Sequence, residues 1–297
     1  MNVRRLGSFR TALGEGPYWD IASQALFFVD MIAQMILRTD ISGNYVMRWK
    51  APKQPSALTR TEDGGFIAVL ADGFYSFDPQ EGRFDKLADI GEAAALAEIN
   101  DAKVDRQGRM VAGLKAHISP DQPLKSLPPV APVCSFDGIG VWTIEGGYRL
   151  CNGPCWSPDG RTFYLADTVP NEIYAYDYDT DTGQISGKRL FADGDAIGGL
   201  ADGATVDAAG RIWWAFCGEG RIACYNPDGT LHDVLTLEAR WPSSLQFGGP
   251  DLDRLFVTSF DPERIGFAPD EHSGYVYVIE GLDAKGLPEP LAKLRVS

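Results

Sequence analysis

Three short phrases in the sequence each place an oxygen-bearing side chain directly before a glycine. They are Glu15-Gly16, Asn152-Gly153 and Asp202-Gly203. Two carboxylates and an amide carbonyl form a hard, all-oxygen ligand set that suits calcium, magnesium or manganese and tolerates zinc or iron. The small neighbour in each phrase lets backbone and ligand approach closely. The three side chains are therefore candidates for one cation site, with an ordinary turn residue as the alternative interpretation of each.

Nucleophilic catalysis and a histidine-rich metal site are disfavoured by the few histidines. The chain has only His117, His232 and His272, and it contains no Gly-x-Ser-x-Gly motif. A Ser-His-Asp site would need one of these histidines beside an activated serine. Only His117, which begins a proline-rich segment, is kept as a candidate ligand contact.

A strand-turn-strand pattern that would position such side chains recurs along the whole chain. Turn aspartates at Asp63, Asp105, Asp159, Asp207 and Asp251 are 42, 54, 48 and 44 residues apart, and Trp19-Asp20 begins an earlier copy. Such spacings suit four-stranded propeller blades of about 40 to 50 residues. The pattern predicts an all-β fold, a six-bladed β-propeller of four-stranded antiparallel blades forming a single domain over residues 1–297. A β-sandwich or two small barrels are the alternatives.

The segments after each second strand alternate between apolar and polar residues, which predicts outer strands with one wet face. Helical periodicity is nearly absent, and the alanine-rich stretch 92–98 is predicted to be a loop or a single turn. The widest spacing contains the proline-rich segment 116–134. A long loop of this kind is more often functional than not, so we expect it to form a lid over a ligand site.

Composition and charge limit the class of partner. The 27 lysines and arginines are outnumbered by 41 aspartates and glutamates, for a formal net charge of -14. Because phosphate binding needs a concentrated basic surface, nucleic acid is disfavoured, and a small neutral substrate or a cation fits better. No apolar run suits a membrane span or signal peptide, so a cytoplasmic location with five reduced cysteines is expected. No pattern in the sequence indicates an oligomeric state.

The same residues carry a resemblance to a known family. The sequence resembles the SMP-30/gluconolactonase/LRE family of regucalcin-like lactonases over essentially its whole length. The matching phrases are Gly14-Glu15-Gly16-Pro17, Asn100-Asp101-Ala102-Lys103-Val104-Asp105, Asn152-Gly153-Pro154 and Asp202-Gly203. The resemblance implies one divalent cation bound by Glu15, Asn152 and Asp202, and a substrate contact at Asn100. Asp101, Lys115 and His117 are further candidate substrate contacts.

Glu98 departs from the family pattern. Many members have arginine two positions before the equivalent of Asn100, whereas this chain has Glu98-Ile99-Asn100. The change replaces a fork of hydrogen-bond donors by an acceptor. It makes Glu98 a candidate substrate contact and predicts a preference for neutral lactones over those carrying a carboxylate or sulfonate. The alternative is that Glu98 only ends a short surface helix. The segment Gly113-Leu114-Lys115 also differs from the common Gly-Thr-Met, which predicts an altered pocket wall.

These residues together predict metal-dependent hydrolysis of a sugar aldonolactone to the aldonic acid. A lactone carbonyl polarised by a cation becomes more electrophilic, and Asp202 would act as the general base toward water. Two alternatives remain open. One is hydrolysis of another activated ester or an organophosphate, and the other is a calcium-binding regulatory propeller without catalytic turnover.

Overall fold

The computed structural model describes residues 1–119 and 122–294, and it confirms the predicted six-bladed β-propeller. Six four-stranded antiparallel sheets are arranged in a ring, which excludes the sandwich and the paired barrels. None of the helices in the described part of the chain is long and apolar enough to cross a membrane.

The strands follow one another from the axis outward in five of the six blades. Blade 1 contains β2 (Gly14–Asp20), β3 (Ala25–Asp30), β4 (Met35–Asp40) and β5 (Val46–Lys50). Blade 2 contains β6 (Pro55–Arg60), β7 (Phe66–Leu70), β8 (Gly73–Asp78) and β9 (Arg83–Asp89). Blade 3 contains β10 (Ala97–Val104), β11 (Met110–Ala116), β12 (Ala131–Phe136) and β13 (Val141–Tyr148). Blade 4 contains β14 (Cys151–Trp156), β15 (Thr162–Asp167), β16 (Glu172–Tyr178) and β17 (Ile185–Asp193). Blade 5 contains β18 (Leu200–Val206), β19 (Ile212–Cys217), β20 (Arg221–Tyr225) and β21 (Leu231–Thr236).

Blade 6 closes the ring with strands from both parts of the chain. It contains β22 (Pro242–Gly248), β23 (Arg254–Ser259), β24 (Tyr277–Glu280) and, at its outer edge, β1 (Asn2–Arg5). The N-terminal strand pairs antiparallel with β24, with Asn2 opposite Glu280 and Arg5 opposite Tyr277. Residues near the start of the chain are thereby fixed to the last blade, which ties the two ends of the ring together.

The turn aspartates lie between the first and second strands of their blades, as the repeat predicts. In blade 5, Asp207 Oδ1 accepts hydrogen bonds from the backbone N–H groups of Ala209 and Arg211, both at 2.9 Å. Gly210 in this turn has φ of +83°, a conformation that costs glycine little. Asp105 makes the same contacts in blade 3.

The segments predicted as outer strands are the third strands of their blades. In blade 1, all six residues of β4 are buried or half-buried because β5 pairs along its outer edge. The fourth strands are more exposed than the third strands. The stretch 92–98 overlaps a short 3₁₀ helix, Gly91–Ala95, and Glu98 lies beyond this helix inside β10. The alternative that Glu98 ends a surface helix is therefore wrong. The other 3₁₀ helices of the described residues are Leu124–Ser126, Gly194–Ala196 and Pro262–Ile265.

Every inner strand has a break in its pairing with the second strand of its blade. The breaks fall between Glu15 and Tyr18, Pro55 and Ala57, Ile99 and Asp101, Asn152 and Cys155, Ala201 and Ala204, and Pro242 and Ser244. A bulge interrupts the alternation of a strand and redirects a side chain. The six bulges therefore lie around the axis where the inner strands of neighbouring blades contact one another.

Candidate active site

The candidate ligands lie near the first residues of three inner strands. Glu15 is in β2, Asn152 is in β14 and Asp202 is in β18, and all three line one pocket of about 200 Å³. Asn100 of β10 and Lys115 of β11 line the same pocket. The ring therefore brings together oxygen atoms that are far apart in the sequence.

Hydrogen bonds fix the orientation of the Asn152 amide. Its Nδ2 donates to Thr168 Oγ1 at 2.9 Å, and its Oδ1 accepts from Asn100 Nδ2 at 2.8 Å. Thr168 Oγ1 in turn donates to the backbone oxygen of Ala201, at 2.7 Å, in the next blade. Because a carbonyl oxygen has two lone pairs, Asn152 Oδ1 retains one for a cation.

Glycines next to the candidate ligands allow the blades to approach closely. Gly153 has φ of +62°, and a Cβ there would lie 2.5 Å from a ring carbon of Trp214. The indole of Trp214 donates to the backbone oxygen of Asp202 at 2.7 Å. A Cβ on Gly203 would lie 2.1 Å from Ser244 Oγ in the following blade. Larger residues would push the inner strands apart.

The two carboxylates are costly in their ionised form without a cation. Burial and the neighbouring charges of Asp202 and Asp101 raise the pKa of Glu15 well above its usual value. Burial and the charge of Asp101 raise the pKa of Asp202 well above its usual value. The Lys115 ammonium lowers the pKa of both groups, but less than burial raises them. A bound divalent cation would supply the positive charge that stabilises the ionised form of these two carboxylates.

The other predicted contacts occupy different positions. Glu98 is opposite Lys115 across the β10–β11 pair, and its Oε1 lies 3.3 Å from Lys115 Nζ. Asp101 is 8% exposed, and its carboxylate accepts hydrogen bonds from the backbone N–H groups of Gly153 at 2.9 Å and Ala102 at 2.7 Å. Asp101 lines a separate small cavity rather than this pocket.

His117 is exposed, and its Nε2 lies 3.0 Å from the backbone oxygen of Ala94. The structure thus brings Lys115 to the pocket and leaves Glu98, Asp101 and His117 outside its lining.

Several lining residues were not identified from the sequence. The apolar side chains around the pocket are Leu13, Met31, Ile118, Leu124, Leu127, Leu150 and Phe260. Ile118, Leu124 and Leu127 belong to the proline-rich segment, whose last residues from Ala131 onward form β12. Pro120 and Asp121 of this segment lie outside the described residues. Thr168 was missed as well, although its position directly after β15 places it at the same face of the ring as Asn152.

The donor set suits a hard cation of the kind that the sequence predicts. Among residues 1–119 and 122–294, no group of three or more histidine, cysteine, aspartate or glutamate side chains is arranged to hold a metal. A cation at this pocket would instead need two carboxylates, the Asn152 amide oxygen and further oxygen ligands such as water. Calcium and magnesium accept this combination. The five buried cysteines are free thiols, and one of them, Cys217, contacts Asp202 through its side chain.

Fold and site together define the class of protein. Residues 13–261 match the family described as the SMP-30/Gluconolactonase/LRE-like region, and the chain belongs to this family.

Individual relatives match nearly the full length. The chain is 32% identical to a 6-deoxy-6-sulfogluconolactonase of Pseudomonas putida over 95% of each chain, and 30% identical to human regucalcin over 92% of each. It is also similar to the crystal structure of a calcium-binding protein, regucalcin, from Agrobacterium tumefaciens. That match has a TM-score of 0.88, 26% identity, and coverage of 99% of this chain and 98% of the other.

Proposed function

We propose that this protein hydrolyses a sugar aldonolactone to its aldonic acid, with one divalent cation bound by Glu15, Asn152 and Asp202. The observation that carries the proposal is that two buried carboxylates and an oriented amide oxygen line the same pocket. The lactonase and calcium-binding protein among the relatives support the same combination of activity and ligand.

A divalent cation would supply Lewis acidity at the lactone carbonyl and stabilise the negative charge that develops on its oxygen. Asp202 acts as the general base. Its carboxylate takes a proton from the water that attacks the carbonyl carbon. When the bond between that carbon and the ring oxygen breaks, Asp202 returns the proton to the departing alkoxide.

Asn100 and Lys115 orient the substrate in this proposal. The described contacts of the Asn100 amide go through Nδ2, to Asn152 Oδ1 and to the backbone oxygen of Cys151. Its Oδ1 therefore remains to accept a hydrogen bond from a substrate hydroxyl. The Lys115 ammonium has three N–H donors, so it can still donate to a substrate while it contacts Glu98. Leu124 and Leu127 line the pocket, and we propose that the segment 116–134 to which they belong forms a lid over it.

The test is acid release from glucono-, galactono-, xylono- and arabinono-lactone with calcium, magnesium, manganese or zinc. We expect metal-dependent acceleration over buffer, lost in Asp202→Asn and retained in Asp251→Asn. Asp251 is exposed in the turn between β22 and β23, at the far end of its blade from the pocket. If no lactone is hydrolysed faster than in buffer while calcium still binds, the chain is a calcium-binding propeller rather than a lactonase.

A further inference from the structure

The candidate active site has a single basic side chain. Among the described residues that line the pocket, Lys115 alone carries a positive charge, whereas Glu15 and Asp202 carry carboxylates. The carboxylate of Glu98, 3.3 Å from Lys115 Nζ, adds a third negative charge beside the pocket. A divalent cation and the Lys115 ammonium together balance these three charges. The ammonium and the cation can therefore be present in the site at the same time.

Strand pairing fixes the position of Lys115. Its backbone lies opposite Glu98 within blade 3 and bridges to Leu150, the residue just before the first strand of blade 4. Its side chain is 18% exposed, and its Nζ is held by the Glu98 carboxylate. The ammonium is thus in place before a substrate binds. Charges that are positioned in advance in this way are the ones that most effectively stabilise a transition state.

Hydrolysis of a lactone creates negative charge on two oxygen atoms. Charge develops on the carbonyl oxygen as water attacks, and on the ring oxygen as its bond to the carbonyl carbon breaks. In the proposed mechanism the carbonyl oxygen lies next to the cation. The Asn100 amide has no donor left for the ring oxygen, because its Nδ2 donates to Asn152 Oδ1 and to the backbone oxygen of Cys151. The Lys115 ammonium keeps N–H donors beyond its contact with Glu98.

From these contacts we infer that Lys115 is a further catalytic residue, whose ammonium donates a hydrogen bond to the ring oxygen as the ring opens. The electron pair of the broken carbon–oxygen bond stays on the ring oxygen, and the charge-assisted hydrogen bond stabilises it. Asp202 then returns the proton taken from water, so Lys115 itself loses none. The inference rests on the proposed function, since it assigns a role within the same reaction.

The size of the pocket is consistent with this role. Its volume is about 200 Å³, whereas pockets for drug-sized ligands start at about 300 Å³. A six-membered ring whose carbonyl lies at the carboxylates of Glu15 and Asp202 therefore also lies against the wall that contains Lys115.

The test replaces the ring oxygen of the substrate by sulfur. The metal-loaded protein is given whichever of the four aldonolactones it hydrolyses fastest, and the thiolactone of the same sugar, which keeps every hydroxyl. A thiolate leaves more readily than an alkoxide and is a weak hydrogen-bond acceptor. Removing a donor to a developing oxyanion costs about 10²–10³-fold in kcat. We expect Lys115→Met to lower kcat/KM about 100-fold for the oxygen lactone and less than about tenfold for the thiolactone.

The two substrates distinguish the inference from the proposed function. Equal losses on both, or no loss on either, would overturn the inference and leave the proposed function standing, because Lys115 would then bind hydroxyls or serve packing alone. If the wild-type protein hydrolyses none of the four lactones, the proposed function fails and the inference fails with it.

Calcium affinity separates a catalytic role of Lys115 from a structural one. Lys115→Met should bind calcium at least as tightly as the wild type, because a positive charge near the carboxylates is removed. Weaker binding by calorimetry would mean that Lys115 assembles the cation site, and would overturn the inference. Lys115→Arg keeps the charge and should recover part of the activity on the oxygen lactone. Lys50→Met, on the exposed outermost strand of blade 1, is the control and should leave both rates unchanged.

Discussion

Lys115 Nζ lies 3.3 Å from Glu98 Oε1, and the two residues are direct partners across the first two strands of blade 3. Lys115 lines the pocket, whereas Glu98 is not among its lining residues. The side chain of Glu98 is therefore engaged by a lysine instead of being a free acceptor at the rim. Although Glu98 replaces the arginine that many family members have, a positive charge is therefore still present at the pocket wall, on Lys115.

Glu98→Gln should increase the preference for anionic lactones. Removing the carboxylate leaves the Lys115 ammonium without its partner, so it can attract a carboxylate or sulfonate on the substrate. We expect the ratio of kcat/KM for a uronic or sulfonated lactone to that for its neutral counterpart to rise about fivefold, corresponding to about 1 kcal/mol. Steady-state kinetics on matched substrates measure it. The exposed Glu92→Gln serves as the control, and an unchanged ratio would leave Glu98 with a structural role only.

Asp202→Ala should reduce activity more than Asn152→Ala. The first variant removes both a cation ligand and the proposed base, whereas the second removes only a neutral ligand. A general base typically contributes about 10²–10⁴-fold, so we expect a further loss of at least about tenfold in kcat for Asp202→Ala. Both variants must be compared at saturating metal. Near-equal losses would contradict a separate base role for Asp202.

Much of this site was predictable because its signals are local. An aspartate and a glycine in a tight turn before an apolar strand mark each repeat, and Glu15, Asn152 and Asp202 occur at similar positions in separate repeats. The fourth strands were harder to assign, since exposed strands such as β9 carry little apolar pattern. The apolar wall could not be predicted at all, because it is assembled from loops of four blades. The Glu98–Lys115 pair likewise depends on strand register.

Thr168→Val should weaken metal binding while leaving the fold intact. The hydroxyl of Thr168 accepts from Asn152 Nδ2 at 2.9 Å, and without it only the hydrogen bond from Asn100 Nδ2 to Asn152 Oδ1 orients the amide. Groups that orient a metal ligand typically change affinity by about 10–100-fold, so we expect a loss within that range. Calorimetric titration with calcium measures it. Thr168→Ser keeps the hydroxyl and should retain most of the affinity, and similar affinity in both variants would show that the hydrogen bond does not orient Asn152.

Stability of the metal-free protein should fall as the pH rises. Burial raises the folded-state pKa of Glu15 and Asp202 above their ordinary values of 4.5 and 3.8. Between the ordinary and raised values, the folded state holds protons that the unfolded chain releases, so the unfolding free energy decreases with increasing pH.

Added calcium should therefore raise Tm more at about pH 8 than at about pH 5.5, because cation binding replaces those protons. Thermal unfolding with and without a chelator measures the difference. Asp202→Asn should reduce it, since one titrating ligand is gone. An equal calcium effect at the two pH values would argue that the carboxylates are already ionised in the metal-free protein.

Lys103 lines the same small cavity as Asp101. Its Nζ donates to the backbone oxygen of Ala204 at 2.9 Å and lies 4.0 Å from Glu289 Oε1. Glu289 is in the C-terminal segment, which contacts blade 5 at Asp207 through Gly286 and blade 2 at Thr61 through Ala292. The segment thus crosses from blade 5 to blade 2. Among the described residues that line the small cavity, Lys103 is the one whose positive charge faces Glu289.

Lys103→Met should destabilise the protein, and Glu289→Gln should partly reverse the loss. Methionine preserves the length of the side chain but leaves the Glu289 carboxylate, whose side chain is 10% exposed, without a countercharge. Breaking a buried ion pair costs about 3–5 kcal/mol. Because the two atoms of this pair are 4.0 Å apart, we expect a smaller loss of unfolding free energy, about 1–3 kcal/mol.

Urea unfolding of the two single variants and the double variant gives the coupling energy, which we expect to exceed about 1 kcal/mol. The more exposed pair Lys86–Asp72, at 3.1 Å, provides the control and should couple by less than about 1 kcal/mol. Additive losses for Lys103→Met and Glu289→Gln would mean that the C-terminal segment is held by its backbone contacts alone.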